Sequence, residues 1–267
     1  MKLLTESEMA VVKKDFHEVW HLPSVRGTLI ALPLCLVVVL PILYLVMILY
    51  APADQMNGVQ NMMQLMPPEL VGYFNTQQSL YYLMINVICP MFFLMIPLMS
   101  STTSAAASFV GEKERGTIET LLLTPLSVRS LFKAKIAGCV FVSFFITAFS
   151  FVVFSIVAAA GNLILDMPFF LNWNWLALVL VLAPAATIFG VIFMVLVSGH
   201  SKSYLESMQL SGFVVLPLVL LLIGQFTGLV YLNALTLLLL GLVLIVLDIV
   251  LLFLSARKFH SETLLKK

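Results

Sequence analysis

Residues 233–255 read NALTLLLLGLVLIVLDIVLLFLS, an apolar run broken only by the acid Asp248. A helix of about 20 apolar residues crosses the hydrocarbon core of a bilayer, so this stretch is long enough to span one. The same ruler marks five further spans, at 27–50, 83–109, 131–160, 174–198 and 209–230, which makes six. None shows the period-two alternation of a membrane β-barrel. Pro33, Pro41, Pro90, Pro97, Pro184 and Pro217 fall inside spans. Neighbouring helices or waters can satisfy the carbonyls that proline frees, so membrane helices tolerate it.

Composition agrees. Of 267 residues, 61% are hydrophobic and 10% charged, with a mean hydropathy of +1.09. Soluble domains carry about 25% charged residues, so an aqueous surface all round is excluded. The expected fold class is an all-α polytopic membrane protein. A net charge of +1 offers no field to steer nucleic acid. Cys35, Cys89 and Cys139 lie in apolar segments and read as packing residues rather than disulfides or metal ligands. The first 25 residues mix both charge signs, unlike a secretory signal. Gly199-His200-Ser201-Lys202-Ser203 lacks the Gly-Lys pair of a phosphate loop, and there is no His-Glu-x-x-His. No catalytic residue, metal site or cofactor is expected in this chain; if energy is consumed, another chain supplies the site.

Orientation follows from charge. With six spans both termini share a side. That side holds Lys2, Lys13, Lys14 and Arg26, then Lys113, Arg115, Arg129, Lys133 and Lys135, then Lys202, then Arg257, Lys258, Lys266 and Lys267. These are all 14 basic residues. The opposite loops, 51–82, 161–173 and 231–232, carry only Asp54, Glu69 and Asp166. The positive-inside bias therefore places both termini in the cytoplasm. A multi-pass protein of the plasma membrane, of prokaryotic origin, is the expectation. Tyr73, Phe74, Tyr81 and Tyr82, and then Phe169, Phe170, Trp173 and Trp175, read as aromatic belts at the outer headgroups.

Two cytoplasmic segments break the apolar monotony. In residues 1–26, Met9, Val12, Phe16, Val19 and Trp20 recur at helical spacing, which predicts an amphipathic helix in the interface. It is either a passive anchor or an elbow that touches a partner. Between spans two and three lies GEKERGTIETLLLTPLS, residues 111–127. Ile118, Leu121 and Leu122 share one helical face, while Glu112, Arg115 and Glu119 are spaced for ion pairing on the other. Gly111 and Gly116 allow the chain to bend, Thr124-Pro125 stops the helix, and Ser127 is placed to cap the next one. A short surface helix results, either an ordinary charged turn or a face through which a cytosolic partner moves spans two and three.

GEKERGTIETLLLTPLSVRSLFKAKI, residues 111–136, resembles the cytoplasmic segment after the second span of type-2 ABC exporter permeases. Glu112, Glu114, Gly116, Thr117, Glu119, Leu121, Leu122, Thr124 and Pro125 match its pattern. KSYLESMQLSGFVVLPLVLL, residues 202–221, resembles the entry to the family's fifth span. With six spans and an elbow, the likeness covers essentially the whole chain. It implies an elbow helix over 1–26, a six-span domain over 27–255 with a coupling helix at 111–126, and a cytoplasmic tail over 256–267. It also implies a non-catalytic permease that pairs with a second permease, identical or homologous, and with a separate ATPase that binds ATP and Mg. By this resemblance Glu112, Glu114, Arg115, Thr117 and Glu119 are the ATPase-docking residues, and Ile118, Leu121, Leu122 and Pro125 anchor the helix. Gly199–Glu206 would be a second contact. ATP-driven closure of the partner would then move cargo outward; uniformly apolar spans favour a hydrophobic or amphipathic cargo such as a peptide, lipid-like molecule or drug.

Asp248 keeps a different class of function open. A carboxylate inside a span is costly and is often functional, so an ion-coupled transporter or channel using Asp248 is the alternative. No inverted repeat, second buried acid or pair of broken helices accompanies it, and no facing cluster of His, Asp, Ser or Cys marks a membrane enzyme. SSTTSAAAS, residues 100–108, serves close helix packing or lines a path. Asn86 and Gln225 receive no role.

Overall fold

The computed structural model describes residues 5–50, 66, 72–117, 127–199, 201, 203–227 and 232–258, without the side chains of 24, 129 and 254–258. Most of the 51–82 loop, residues 118–126 and the tail from 259 onward lie outside the described residues. Among the described residues there is no strand, and six helices are long and apolar enough to cross a membrane.

Helix α1, Glu6–His21, opens on a capping box. Thr5 Oγ1 accepts from the Glu8 amide, and the Glu8 carboxylate accepts from the Thr5 amide at 2.7 Å. Pro23 then starts α2, where its missing N–H costs nothing. Pro23–Leu34, Cys35–Val39 and Leu40–Tyr50 run on as this one helix. Helix α3 covers Thr76–Glu114. It starts earlier than the span expected at 83, because Asn75 and Gln78 form a second capping box. It also continues through Gly111 to Glu114 instead of bending at the membrane surface. Helix α4 is Val128–Ile164, capped by Ser127 Oγ. Helix α5 covers Trp173–Ser198, α6 is Tyr204–Phe226 and α7 is Ala234–Lys258.

Four π turns interrupt these helices. Three of them, Cys35–Val39, Met84–Ile88 and Leu178–Leu182, end two residues before Pro41, Pro90 and Pro184. Proline clashes with the carbonyl four residues back; widening the preceding turn relieves that clash. The fourth, Ala106–Val110, has no proline behind it.

Helices α3 and α5 are the most enclosed of the six spans and form the centre of the bundle. Their contact uses the small residues of 100–108. Ser100 to Ala107 are all buried, and a Cβ on Gly190 would collide with Ser101 Oγ. Trp175 is wholly buried among Phe93, Phe151, Phe154 and Phe170, with ring centroids 4.7–5.9 Å from its own. Phe170, Trp175 and Tyr81 therefore face the protein rather than the outer headgroups; the Tyr81 hydroxyl donates to Ala158 O at 3.2 Å. Phe169, Trp173 and Tyr73 remain exposed. The outward apolar faces of α4, α6 and α7 are those of helices against lipid.

Candidate functional site at the charged end of the second span

The last turn of α3 places four charged residues in a row, and each meets a different part of the fold. Glu112, 1% exposed, accepts from Lys14 Nζ of α1 at 2.8 Å, while Lys135 Nζ of α4 lies 2.6 Å from its other oxygen. Lys113 Nζ donates to Ser201 O at 3.3 Å. Glu114 accepts from the Tyr204 amide at 2.9 Å, a carboxylate set against the positive end of α6. Arg115 pairs with Glu18 of α1.

The helix stops immediately afterwards. Gly116 has φ +70, its amide donates to Lys113 O, and the Thr117 amide donates to Glu112 O at 3.0 Å. This is a Schellman stop, and the left-handed residue it needs is glycine. Thr117 Oγ1 also donates to Glu112 O. Lys113, Glu114, Arg115, Gly116 and Thr117 are exposed, whereas Glu112 points inward.

Beneath them lies a buried network. The Ser108 hydroxyl donates to Asp15 of α1 at 2.8 Å, and Lys135 Nζ donates to Ser108 O at 3.0 Å. Lys135 also sits 3.8 Å from the Asp15 carboxylate and 5.6 Å from the Phe109 ring. Among the described residues Ser108 belongs to the one π turn without a proline behind it, and π turns recur at functional positions. Burial pushes the Asp15 carboxyl above its ordinary 3.8, against the opposing pull of Lys135 and Ser108. For Lys14, burial pulls the ammonium down, but the bond and charge of Glu112 outweigh it and leave the group above 10.5. Ligand atoms of Asp15, Glu18 and Glu112 lie within 4.8 Å of one another, close enough to hold a cation. Lys14, Lys135 and Arg115 already supply three positive charges there.

Asp15, Lys14, Glu18, Lys135 and Ser108 were not singled out from sequence. The sequence carries two signals that could have found them: Asp15 is a charge between Val12 and Val19 of the apolar stripe of α1, and Lys135 lies near the start of an apolar helix. That stripe, with Glu8 and Asp15, differs from the expected one through Met9, because α1 packs on α4 and Met9 stays exposed. Arg115 pairs with Glu18, and Glu112 with Lys14 and Lys135, so among the described residues the expected Glu112–Arg115 pair is not made. Glu119, Ile118, Leu121, Leu122 and Pro125 lie outside the described residues. Asp248 is 3% exposed, and neither carboxylate oxygen has a hydrogen-bond partner. Helix α5, packed against that helix, contributes no titratable residue. Asn86 accepts from Asn172 at 2.9 Å, and Gln225 donates to Val87 O at 3.2 Å, so both serve as interhelical ties.

The family model for the ABC-2 family transporter protein matches residues 9–255. The chain belongs to the ABC-2 transporter family. No curated protein and no solved structure matches it. As an ABC-2 protein it is a multi-pass membrane protein and the membrane-spanning permease component of an ABC transporter. In this ABC-2 permease the charged motif is thus the junction of α1, α3, α4 and α6 on one membrane face.

Proposed function

We propose that this permease couples ATP hydrolysis by a separate ABC ATPase to outward movement of cargo, and that the ATPase docks at the turn following α3. One observation carries the reading: exposed Lys113–Thr117 sit on a buried ion network that ties the middle of α1 to the end of α3 and the first turns of α4. A push on the turn would reach three helices at once. Glu114, Arg115, Thr117 and Glu119 are the proposed docking residues. Glu112, buried, acts as the internal strut, and Ile118, Leu121, Leu122 and Pro125 seat the helix. Helix α1 is the proposed elbow, and the 199–206 connection, tied to Lys113 and Glu114, a second contact.

The one-sided distribution of basic residues supports cytoplasmic termini and a plasma-membrane location. ATP and Mg belong to the partner, and the chain itself is non-catalytic. Two permeases, identical or homologous, would enclose the path, for a hydrophobic or amphipathic cargo. The experiment is ATP turnover of the assembled complex in vesicles with peptide, lipid and ion candidates. Stimulation by one class supports the cargo reading; stimulation by simple cations alone overturns it. Among the described residues Asp248 has no hydrogen-bond partner, and helix α5, packed against its helix, contributes no titratable residue, so no specific observation favours an ion-coupled mechanism.

A further inference from the structure

A laterally open cavity of about 300 Å³ lies between α2 and α4. Leu29, Pro33 and Val37 form one wall and Phe145, Phe149 and Val153 the other, with Trp20 of α1 across the end. From Leu29 to Val37 the helical rise gives a groove about 12 Å long, parallel to the spans. Its width and its apolar walls suit a single acyl chain.

Charge lies beside the mouth. The Trp20 ring closes that end of the groove. Arg26, one helical turn before Ile30 of the groove, is exposed, is the only charged residue of α2, and has no ion pair among the described residues. Lys13, His17 and His21 continue an exposed basic stripe along α1, with the two histidine rings 4.2 Å apart. The acids nearest in α1 are spoken for: Asp15 by Ser108 and Lys135, Glu18 by Lys14 and Arg115. A free guanidinium over an apolar slot, with an exposed basic stripe beside it, asks for an anionic headgroup on a hydrocarbon tail.

We infer that this groove is a binding site for an anionic phospholipid, with one acyl chain between α2 and α4, against the Trp20 ring, and its phosphate at Arg26. The leaflet is the one bordering α1, the cytoplasmic leaflet in the proposed orientation. An amphipathic segment beside anionic lipid gains about 1 kcal/mol per basic residue, or about fivefold in occupancy. Occupancy would steady the seat of α1 on α4, next to the charged junction.

The test is quenching of Trp20 fluorescence in the full-length permease, reconstituted in phosphatidylcholine vesicles. Bromine is carried on the acyl chains of either phosphatidylglycerol or phosphatidylcholine at equal mole fraction. The difference between the parent and Trp20→Phe isolates the Trp20 signal. The expected result is quenching about fivefold more effective with the brominated anionic lipid, an advantage that Arg26→Gln removes. Val38→Phe, which fills the groove, lowers quenching by both lipids. Equal quenching by the two lipids, or an advantage that survives Arg26→Gln, overturns the inference in favour of bulk lipid. Shielding from both overturns it in favour of a second copy of this chain. None of these readouts depends on ATP turnover, so failure here is distinct from failure of the coupling reading.

Discussion

At Gly116 the backbone adopts φ +70, which L side chains reach only at a cost of about 1–2 kcal/mol. Gly116→Val should cost stability of that order, read as a lower unfolding midpoint, whereas Gly111→Ala, whose Cβ would meet the Arg115 guanidinium at an ordinary contact distance of 3.5 Å, should not. Glu112 is the harsher position. Glu112→Ala strands Lys135 in a buried site and should cost about 3–5 kcal/mol, while Glu112→Leu together with Lys135→Met should recover most of it. The pH dependence has two parts. Lys14 is raised in the fold, so its contribution is fully present below pH 10.5 and fades as pH rises through the folded value. Asp15 is raised as well, so its contribution is fully present below 3.8 and is lost as pH rises above that. At neutral pH Asp15→Asn should therefore leave thermal stability unchanged or higher; a marked fall would contradict the assigned direction. Asp248 sits in an apolar setting without partners, so Asp248→Asn should keep both folding and transport. Loss of transport with intact folding would revive the ion-coupled alternative.

Helices were legible because lipid enforces a simple rule of length and apolarity, and because punctuation such as Ser127 is local. What escaped is what depends on partners distant in sequence. Thr76, not residue 83, begins α3 because the Asn75–Gln78 box sits in polar sequence that an apolar ruler ignores. The charges of 112–115 declared a site, but their spacing favoured local pairs, and only the packing of α1 and α4 supplies Lys14, Lys135 and Glu18 instead. Trp175 and Phe170 likewise read as interfacial until Phe93 and Phe154 surround them. The seating of α1 can be tested as an element. A Cβ built on Gly138 of α4 lies 3.7 Å from Asp15 Cβ, within the 3.5–4.5 Å span of disulfides. The pair Asp15→Cys and Gly138→Cys should therefore crosslink under mild oxidation; failure to form would mean that α1 does not rest on α4.

Across the whole molecule, two enclosed helices, α3 and α5, are ringed by helices whose outer faces suit lipid, and the charge is gathered at one end. In the proposed coupling, the charged end of this bundle receives force from a separate ATPase. The most direct test of that claim is ATP turnover by the permease assembled with its ATPase. Arg115, Thr117 and Glu119 would be changed together to alanine, leaving the buried Glu112–Lys135 pair in place. The account predicts a folded permease whose ATPase pull-down or cargo-stimulated turnover falls about tenfold, the equivalent of about 1.4 kcal/mol at the docking face. Unchanged pull-down and unchanged turnover would contradict it.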